Sequence, residues 1–334
     1  MKSRTTTILA LAPMLLAATH YPPSSIRTHW RAPWIWCSAE GRKTNLHVYF
    51  RRTFRLDTAP QGPVPVLVSA ATHYTLYVNG HPAGFGPPIS DRRYHYYDTR
   101  DIAPYLHKGE NVIAAHVYSL ATSTEDFHGG RGLFLLEGSA AGTTLDTGPD
   151  WKYLIPTVWK RDTPRQSFQL HFVEVADLRN EPLGWNRPGF DDSAWKPAVV
   201  IGMPPQGGYE NLVARDLGDI DEVFEPAPML VSYGEVQRGA EQRIPAVRIN
   251  SETIEAPSTV RIGDRRPISV QTTAAGRDAV LIFDMERMVI GCPYFEVDGA
   301  AGAEIDVSIS EYLDHGGLGR CFLVVSGITA SSVM

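Results

Sequence analysis

The stretch Thr72–Leu120 determines the fold class of this 334-residue chain; it reads THYTLYVNGHPAGFGPPISDRRYHYYDTRDIAPYLHKGENVIAAHVYSL. Apolar residues stand at every second position from Tyr74 to Val78, which is the pattern of a strand with one buried face. Asn79-Gly80 then predicts a two-residue turn, because both residue types accept a positive φ. A strand followed at once by such a turn indicates an antiparallel sheet.

The rest of this stretch continues the succession of strands and short connections. A loop rich in Gly and Pro is predicted from His81 to Ser90, and the aromatic run Tyr94–Tyr97 follows it. Asp101 can cap a single helical turn. Residues 108–111 then form another turn, and Val112–Leu120 has the composition of a buried strand. The whole stretch is therefore predicted to be one continuous piece of an antiparallel β-sandwich.

Three motifs follow one another in this stretch: LYVNG, SDRRYHYYDT and DIAPYLHKGENVIA. A fourth, FVEVADLRNEPLGWNRPGFDDSAWKPA, covers Phe172–Ala198. Together they resemble the N-terminal β-sandwich module of bacterial α-L-rhamnosidases, glycoside hydrolase family 78, although Leu178 replaces an alanine of the family pattern. Such jelly-roll modules resemble galactose-binding domains. The resemblance implies an all-β fold of two antiparallel β-sandwiches.

The resemblance spans roughly Trp34–Arg320 and implies a division into two domains. The first is a jelly-roll sandwich over residues 30–203, and the second is an incomplete sandwich over residues 210–334. Prolines and glycines between residues 204 and 208 mark the boundary. In the family, an (α/α)6 barrel that carries the acid and base carboxylates follows the second sandwich. No run of helical period in this sequence suits such a barrel, so the second domain is expected to be truncated.

The tail over residues 321–334 has no counterpart in the family. Glu304–Ser310 alternates apolar and polar residues and is predicted to be a strand. The truncation is expected to leave this strand without partners. Phe322–Val325 is expected to serve as an improvised strand at that edge, although its residues do not alternate. The second domain is therefore expected to be loosely folded.

The first residues have the composition of a secretion signal. Lys2 and Arg4 precede the apolar run Ile8–Ala18, and small residues offer a cleavage point near its end. Residues 1–20 are accordingly interpreted as a signal peptide, with a disordered or membrane-anchored leader as the alternative. The run is shorter than the roughly 20 residues of an uninterrupted transmembrane helix, so no transmembrane anchor is expected. The chain is expected to be secreted or periplasmic.

Composition excludes several other classes of protein. A net charge of −6 and a pI near 6.0 give no basic surface for nucleic acid, so no such partner is expected. Cys37, Cys292 and Cys321 match no zinc-binding spacing and are interpreted as isolated buried thiols. Apolar residues make up 43% of the chain, which is ordinary for a globular protein.

Several large or charged side chains have a structural interpretation and a functional one. Trp30, Trp34 and Trp36 are interpreted as core anchors, with sugar stacking as the alternative. Arg52 lies on the apolar side of the strand Val48–Leu56 and needs a carboxylate or carbonyl partner if it is buried. An internal ion pair is favoured there over ligand binding.

No catalytic motif such as G-x-S-x-G, H-E-x-x-H or a P-loop is present in the sequence. Asp191 and Asp192 are interpreted as caps of a helix that begins at Phe190, since their oxygens can accept hydrogen bonds from free N–H groups. Glycoside hydrolysis instead needs two carboxyl groups about 5–10 Å apart across a sugar cleft. The chain is therefore expected not to hydrolyse rhamnosides, although its family consists of glycosidases.

Any ligand contact is expected on two loops at the rim of the first sandwich. Sugars are gripped by a stacking aromatic ring together with charged groups that hydrogen-bond hydroxyls in pairs. The alternatives are that the aromatic run merely lines a strand and that the second loop is only solvated. No cofactor is assigned, but a calcium ion beside the sugar is possible, as in some related modules. The candidate residues are Asp91, Arg92, Tyr94, His95, Asp126, His128 and Arg131.

Two classes of function remain open at this point. The first is the N-terminal part of a secreted α-L-rhamnosidase-like glycoside hydrolase, with accessory modules and without the catalytic barrel. The second is a free-standing carbohydrate-binding or adhesion module. The resemblance implies a rhamnose-containing glycan or glycoside as the partner in either case.

Overall fold

The computed structural model describes residues 26–38, 43–90, 92–127, 129–165, 167–206, 208–218, 229–237, 261–262, 270–271, 277–289, 302–310 and 322–328. Within these ranges the chain is almost entirely strands and turns, which confirms the predicted all-β class. The helical elements described are two 3-10 turns, Ala103–Tyr105 and Leu178–Asn180.

The chain divides into two compact units, Met1–Asp219 and Ile220–Met334. The described strands of the first unit are β1 (Ile26–Arg27), β2 (Trp34–Trp36), β3 (Leu46–Leu56), β4 (Pro65–Ala70), β5 (His73–Val78), β6 (His81–Gly86), β7 (His95–Asp101), β8 (Gly109–Ser119), β9 (Phe134–Ala140), β10 (Thr143–Thr144), β11 (Lys152–Leu154), β12 (Lys196–Pro197), β13 (Val199–Gly202) and β14 (Leu212–Ala214). The first unit thus includes β14, which lies beyond the predicted domain boundary at residue 203.

These strands form the two sheets of a sandwich. The eight-stranded sheet has the order β1-β14-β7-β4-β9-β2-β13, with β10 paired to β9, and the six-stranded sheet has the order β12-β11-β3-β8-β5-β6. The pairings are antiparallel except between β14 and β7. Side chains of alternate residues on both sheets meet in one core, which includes Phe50, Leu76, Val117 and Phe134.

The turn that the sequence predicted most firmly has the expected geometry. Asn79 has φ 51° and Gly80 has φ 85°, and the two residues join β5 to β6. His81–Gly86 is therefore a strand rather than the start of the predicted loop. This strand lies at the edge of its sheet, where Pro82, which lacks an N–H donor, is tolerated.

Asn79 of LYVNG and Asn111 of GENVI connect the segments around them through side-chain hydrogen bonds. Asn79 Nδ2 donates to Asn111 Oδ1 at 2.8 Å, and Val112 N donates to Asn79 Oδ1 at 2.8 Å. Asn111 is fully buried, and its own Nδ2 donates to the carbonyl of His107 at 2.7 Å. As predicted, the Asp101 carboxylate accepts from the N–H of Ala103, in the single helical turn.

The tryptophans near the start of the described chain serve as core anchors, as predicted. Trp36 packs on Phe50 inside the sandwich, whereas Trp34 belongs to a smaller apolar cluster on the other face of the eight-stranded sheet. Both are almost wholly buried. Cys37 is a buried free thiol, and the other two cysteines lie outside the described residues.

The outer face of the six-stranded sheet is covered by the segment between β11 and β12. Residues 158–177 form what we call the covering hairpin, since Asp177 N donates to Val158 O at 2.8 Å and Lys160 N donates to Val175 O at 2.9 Å. The helix predicted to begin at Phe190 is wrong, because residues 192–195 form a turn in which Trp195 N donates to the carbonyl of Asp192 at 3.0 Å. The cause is a pairing partner distant in sequence: Lys196–Pro197 pairs with β11, which forces the chain to extend.

The second unit contains β15 (Met229–Gln237), β16 (Arg261–Ile262), β17 (Val270–Gln271), β18 (Arg277–Asp284), β19 (Asp306–Ser310) and β20 (Phe322–Ile328). Four of these strands form an antiparallel sheet of order β15-β18-β20-β19. As expected, Phe322–Val325 lies in a strand that pairs with Asp306–Ser310, with Ile309 opposite Leu323. The expectation that Glu304–Ser310 lacks partners is therefore wrong. β20 is also not an edge strand, because it pairs with β18 on its other side, with Leu281 opposite Val325. Its unbroken apolar run is typical of an interior strand.

Candidate functional site

Strand pairing brings both predicted ligand loops to the same end of the first sandwich, which we call the loop end. In the eight-stranded sheet, Ala70 at the end of β4 lies opposite Phe134 at the start of β9. In the six-stranded sheet, His73 at the start of β5 lies opposite Tyr118 at the end of β8. Since β7 runs antiparallel to β4 and begins at His95, the loop before β7 leaves from this end too.

The loop before β7 is fastened to the segment that leads into β14. Arg92 Nε donates to the carbonyl of Gly208 at 3.1 Å, and Glu210 N donates to the carbonyl of Arg92 at 3.0 Å. The Arg92 side chain is exposed and that of Tyr94 is partly exposed. Asp91 lies outside the described residues. This loop therefore presents a fixed backbone with a guanidinium group at the surface.

His95 differs from the other candidates because its ring is buried. Its Nε2 donates to the carbonyl of Ala70 at 2.8 Å, so its Nδ1 accepts from the hydroxyl of Ser90 at 2.8 Å. The imidazole stacks on Tyr209 with ring centroids 3.8 Å apart. Burial lowers the pKa of His95 to about 4, which keeps the ring neutral near pH 7. These contacts give His95 a packing role at the base of the loop end.

The described part of the second loop, residues 121–127 and 129–133, is held by hydrogen bonds to its own side chains. The hydroxyl of Thr124 accepts from the N–H groups of Asp126 and Phe127. The Asp126 carboxylate is exposed. Arg131 is partly buried and donates to the carbonyl of Ser38 at 3.4 Å. His128 lies outside the described residues.

A layer of aromatic rings and histidines under the covering hairpin was missed from the sequence. His47 and Tyr49 of β3 and His116 of β8 point away from the core, and Trp159 of the hairpin stacks on His47 with centroids 4.4 Å apart. Trp185 stacks on Tyr49 at 4.2 Å with an interplanar angle of 8°. The available signal was the spacing of two residues that places His47 and Tyr49 on one strand face.

The buried arginine of β3 is Arg51, which precedes Arg52, the arginine that the sequence pattern pointed to. Arg51 is 1% exposed, and its guanidinium pairs with the Asp192 carboxylate, which also accepts from Lys152 Nζ at 2.6 Å. Burial lowers the pKa of Arg51, and Asp192 opposes that shift. The prediction for Arg52 is also confirmed, because Arg52 donates to the carbonyl of Asp146 at 3.0 Å.

The described part of the chain contains no group of three or more His, Cys, Asp or Glu side chains placed to hold a metal ion. Calcium at the loop end therefore stays a prediction. Among these residues, no helix is long and apolar enough to cross a membrane.

Comparison with known proteins finds α-L-rhamnosidases both in sequence and in fold. No protein-family model matches the chain. An α-L-rhamnosidase of Streptomyces avermitilis is 27% identical over 191 residues, which make up 52% of this chain and 18% of that protein. This chain therefore spans less than a fifth of the length of that relative.

Two solved structures extend the likeness over most of the chain. The GH78 rhamnosidase of Bacillus sp. GL1 superimposes with a TM-score of 0.60 and 23% identity, covering 91% of this chain and 32% of that one. The S. avermitilis α-L-rhamnosidase, solved in complex with L-rhamnose, gives a TM-score of 0.55 and 19% identity, covering 86% of this chain and 28% of that one. At such identities these superpositions establish the fold. In sequence over half of its length, and in fold over most of it, this chain is similar to α-L-rhamnosidases of glycoside hydrolase family 78.

Proposed function

We propose that this chain supplies the accessory carbohydrate-binding sandwiches of a secreted α-L-rhamnosidase-like glycoside hydrolase, and that the loop end of its first sandwich binds a rhamnose-containing glycan. The observation that carries the proposal is the extent of the likeness. Rhamnosidase structures cover 86% and 91% of this chain, while this chain covers only 28% and 32% of them. The chain corresponds to the β-sandwich part of much longer enzymes.

The adjacent carboxylates that the sequence singled out have structural partners in the first unit. Asp192 is held by Arg51 and Lys152, and Asp191 accepts from the N–H of Ser193 at 2.9 Å. An acid catalyst of a glycosidase instead has to protonate a leaving oxygen across an open cleft. The engagement of both carboxylates argues against a catalytic role for either of them.

The loop end offers the chemistry that sugar binding requires. Arg92 and Asp126 are exposed there, on loops whose backbones are fastened by hydrogen bonds. A guanidinium group and a carboxylate can each bond a pair of neighbouring hydroxyls. Because the backbones are already ordered, binding would cost little loop entropy.

Titration calorimetry with L-rhamnose, with and without calcium, tests this proposal. Arg92→Ala and Asp126→Asn are each expected to weaken binding by about 10- to 100-fold, since hydrogen bonds to charged groups contribute about 1.5–3 kcal/mol. Arg55→Ala is the matched control, because Arg55 is exposed at the opposite end of β3, opposite Glu110. Absence of saturable heat for the wild-type chain in both buffers would remove the proposal, as would equal losses in Arg92→Ala and Arg55→Ala.

A further inference from the structure

The contact between the covering hairpin and the six-stranded sheet is built largely from rings that can take up a proton. His47 Nδ1 and His116 Nε2, on neighbouring strands, are 2.9 Å apart and share a hydrogen bond. Trp159 of the hairpin stacks on both rings, with interplanar angles of 17° and 25°. The hairpin therefore rests on a hydrogen-bonded pair of imidazoles.

A second pair of histidines lies in the same contact between the covering hairpin and the six-stranded sheet. His171 of the hairpin lies 5.6 Å from His73 of β5, measured between ring centroids. Phe127 packs against both rings, at 5.0 Å from His73 and 5.3 Å from His171. Four histidines on three strands and the hairpin thus lie in one layer of rings.

From these contacts we propose that the covering hairpin is a latch that acid releases: it is closed while the four histidines are neutral and opens when they take up protons. A shared hydrogen bond between His47 and His116 requires one ring nitrogen to be without a proton. If both rings were cationic, two N–H groups and two like charges would face each other 2.9 Å apart. The Trp159 ring can offset part of the cost of the first charge but not that of the second.

The surroundings of the four histidines stabilise their protonated forms only weakly. Burial lowers the pKa of His47 to about 3, and the pKa values of His73 and His116 to about 4. The pKa of His171 is also lowered, by burial first, while Asp126 opposes the shift. The titratable and charged groups that face the four histidines are Tyr49, Tyr118, Asp126 and Arg165. Behind the two tyrosines, Glu174 acts on Tyr118 and Glu181 accepts from Tyr49.

Two carboxylates of this set, Asp126 and Glu174, oppose release. Asp126 favours the charged form of His171, but burial prevails in the net shift. Glu181 accepts from the hydroxyl of Tyr49 at 2.9 Å, so its charge is already engaged. Some contacts of the hairpin do not titrate: Asn45 Nδ2, for example, donates to the carbonyl of Arg161 at 2.9 Å. Burial raises the pKa of Glu174 on the hairpin, so its protonation as pH falls favours the closed form. Protonation of the histidines drives release against Asp126 and Glu174.

Hydrogen exchange of the intact chain at pH 7.5 and pH 5.5, corrected for the intrinsic pH dependence of exchange, tests the latch. Each histidine that opening transfers to water, with a pKa near 6.5, should increase the population of the open hairpin about tenfold between these pH values. Amides of residues 160–177 are expected to exchange about 100-fold faster at pH 5.5 if His47 and His116 are both released. Amides of β4 and β9, inside the core of the same unit, exchange only through unfolding of the whole unit, so at both pH values they should stay far slower than the hairpin amides.

The double variant His47→Gln, His116→Gln should remove most of this increase, and His81→Gln, at an exposed position in β6, should retain it. Hairpin amides that exchange as slowly as the core amides at pH 5.5 would overturn the proposal, since both would then report unfolding of the whole unit. Equal hairpin exchange at the two pH values would also overturn it. The wild-type comparison of hairpin with core decides the matter even if the double variant does not fold.

Discussion

Replacing Asp192 by Asn is expected to destabilise the first unit by about 3 kcal/mol. The substitution keeps the shape of the side chain but leaves the guanidinium of Arg51, which is 1% exposed, without its counter-charge. Breaking a buried ion pair at one partner typically costs about 3–5 kcal/mol. The lower value applies because Arg51 also donates to the carbonyls of Phe190 and Arg187, at 3.2 and 3.3 Å, and these remain.

Thermal unfolding followed by tryptophan fluorescence measures this effect. All 7 tryptophans lie within Met1–Asp219, so the signal reports the first unit alone. A loss of about 3 kcal/mol corresponds to a fall in Tm of about 6–12 °C for a domain of this size. Asp191→Asn is the matched control, because Asp191 is exposed and accepts a hydrogen bond from the backbone N–H of Ser193. If both variants lose the same stability, Arg51 and Asp192 do not form the ion pair described here.

The first unit is expected to lose stability steeply below about pH 6.5. Burial lowers the pKa values of His47 and His95 to about 3 and about 4, so the folded chain keeps both rings neutral where the unfolded chain protonates them. Their stabilising contribution is complete above the unfolded pKa of about 6.5 and is lost as pH falls toward the folded values. Each histidine should cost about 1.4 kcal/mol between pH 7.5 and 5.5.

Denaturant unfolding at the two pH values, again followed by tryptophan fluorescence, checks this expectation. The two most buried rings alone predict a loss of about 3 kcal/mol, and His73 and His116 add to it. His95→Gln should flatten the pH dependence by the share of one histidine, whereas His107→Gln, at an exposed position, should leave it unchanged. Equal stability at pH 7.5 and 5.5 would contradict the burial of these neutral rings.

Local signals in the sequence were sufficient where one physical rule determined the structure. Asn79-Gly80 forms the predicted turn because few other residues accept two successive positive φ angles. The alternation from Tyr74 to Val78 gave the correct buried face of β5. The placement of Arg52 on the apolar side of β3 correctly required a carbonyl partner, which Asp146 supplies.

The errors arose where pairing partners distant in sequence determined the structure. Nothing local shows that His81–Gly86 extends along β5 as an edge strand, or that β12 follows Trp195 so closely that no helix can form. The position of β20 between two strands likewise depends on partners in β18 and β19. Composition alone could not show whether Phe322–Val325 would lie in the middle of a sheet or at its edge.

Contacts between residues distant in sequence also limited the prediction of individual side chains in the candidate site. Strand pairing places the two rim loops at one end of the sandwich, and their shared role in ligand binding stays a prediction. His95 was grouped with the exposed candidates, because its stacking partner Tyr209 lies more than a hundred residues away in sequence. The layer of histidines under the covering hairpin was missed for the same reason, since Trp159 joins His47 and His116 only through the fold.

Injection of an aryl α-L-rhamnoside into a calorimeter cell that contains the purified chain tests the central claim most directly. Binding gives heat pulses that shrink to saturation, whereas hydrolysis gives thermal power that persists after each injection. A binding module without catalytic machinery predicts saturating pulses and a baseline that returns to its starting value. Sustained thermal power above that of a heat-denatured sample would show that the chain is itself a glycosidase, and pulses that never rise above dilution would show that it does not bind the glycoside.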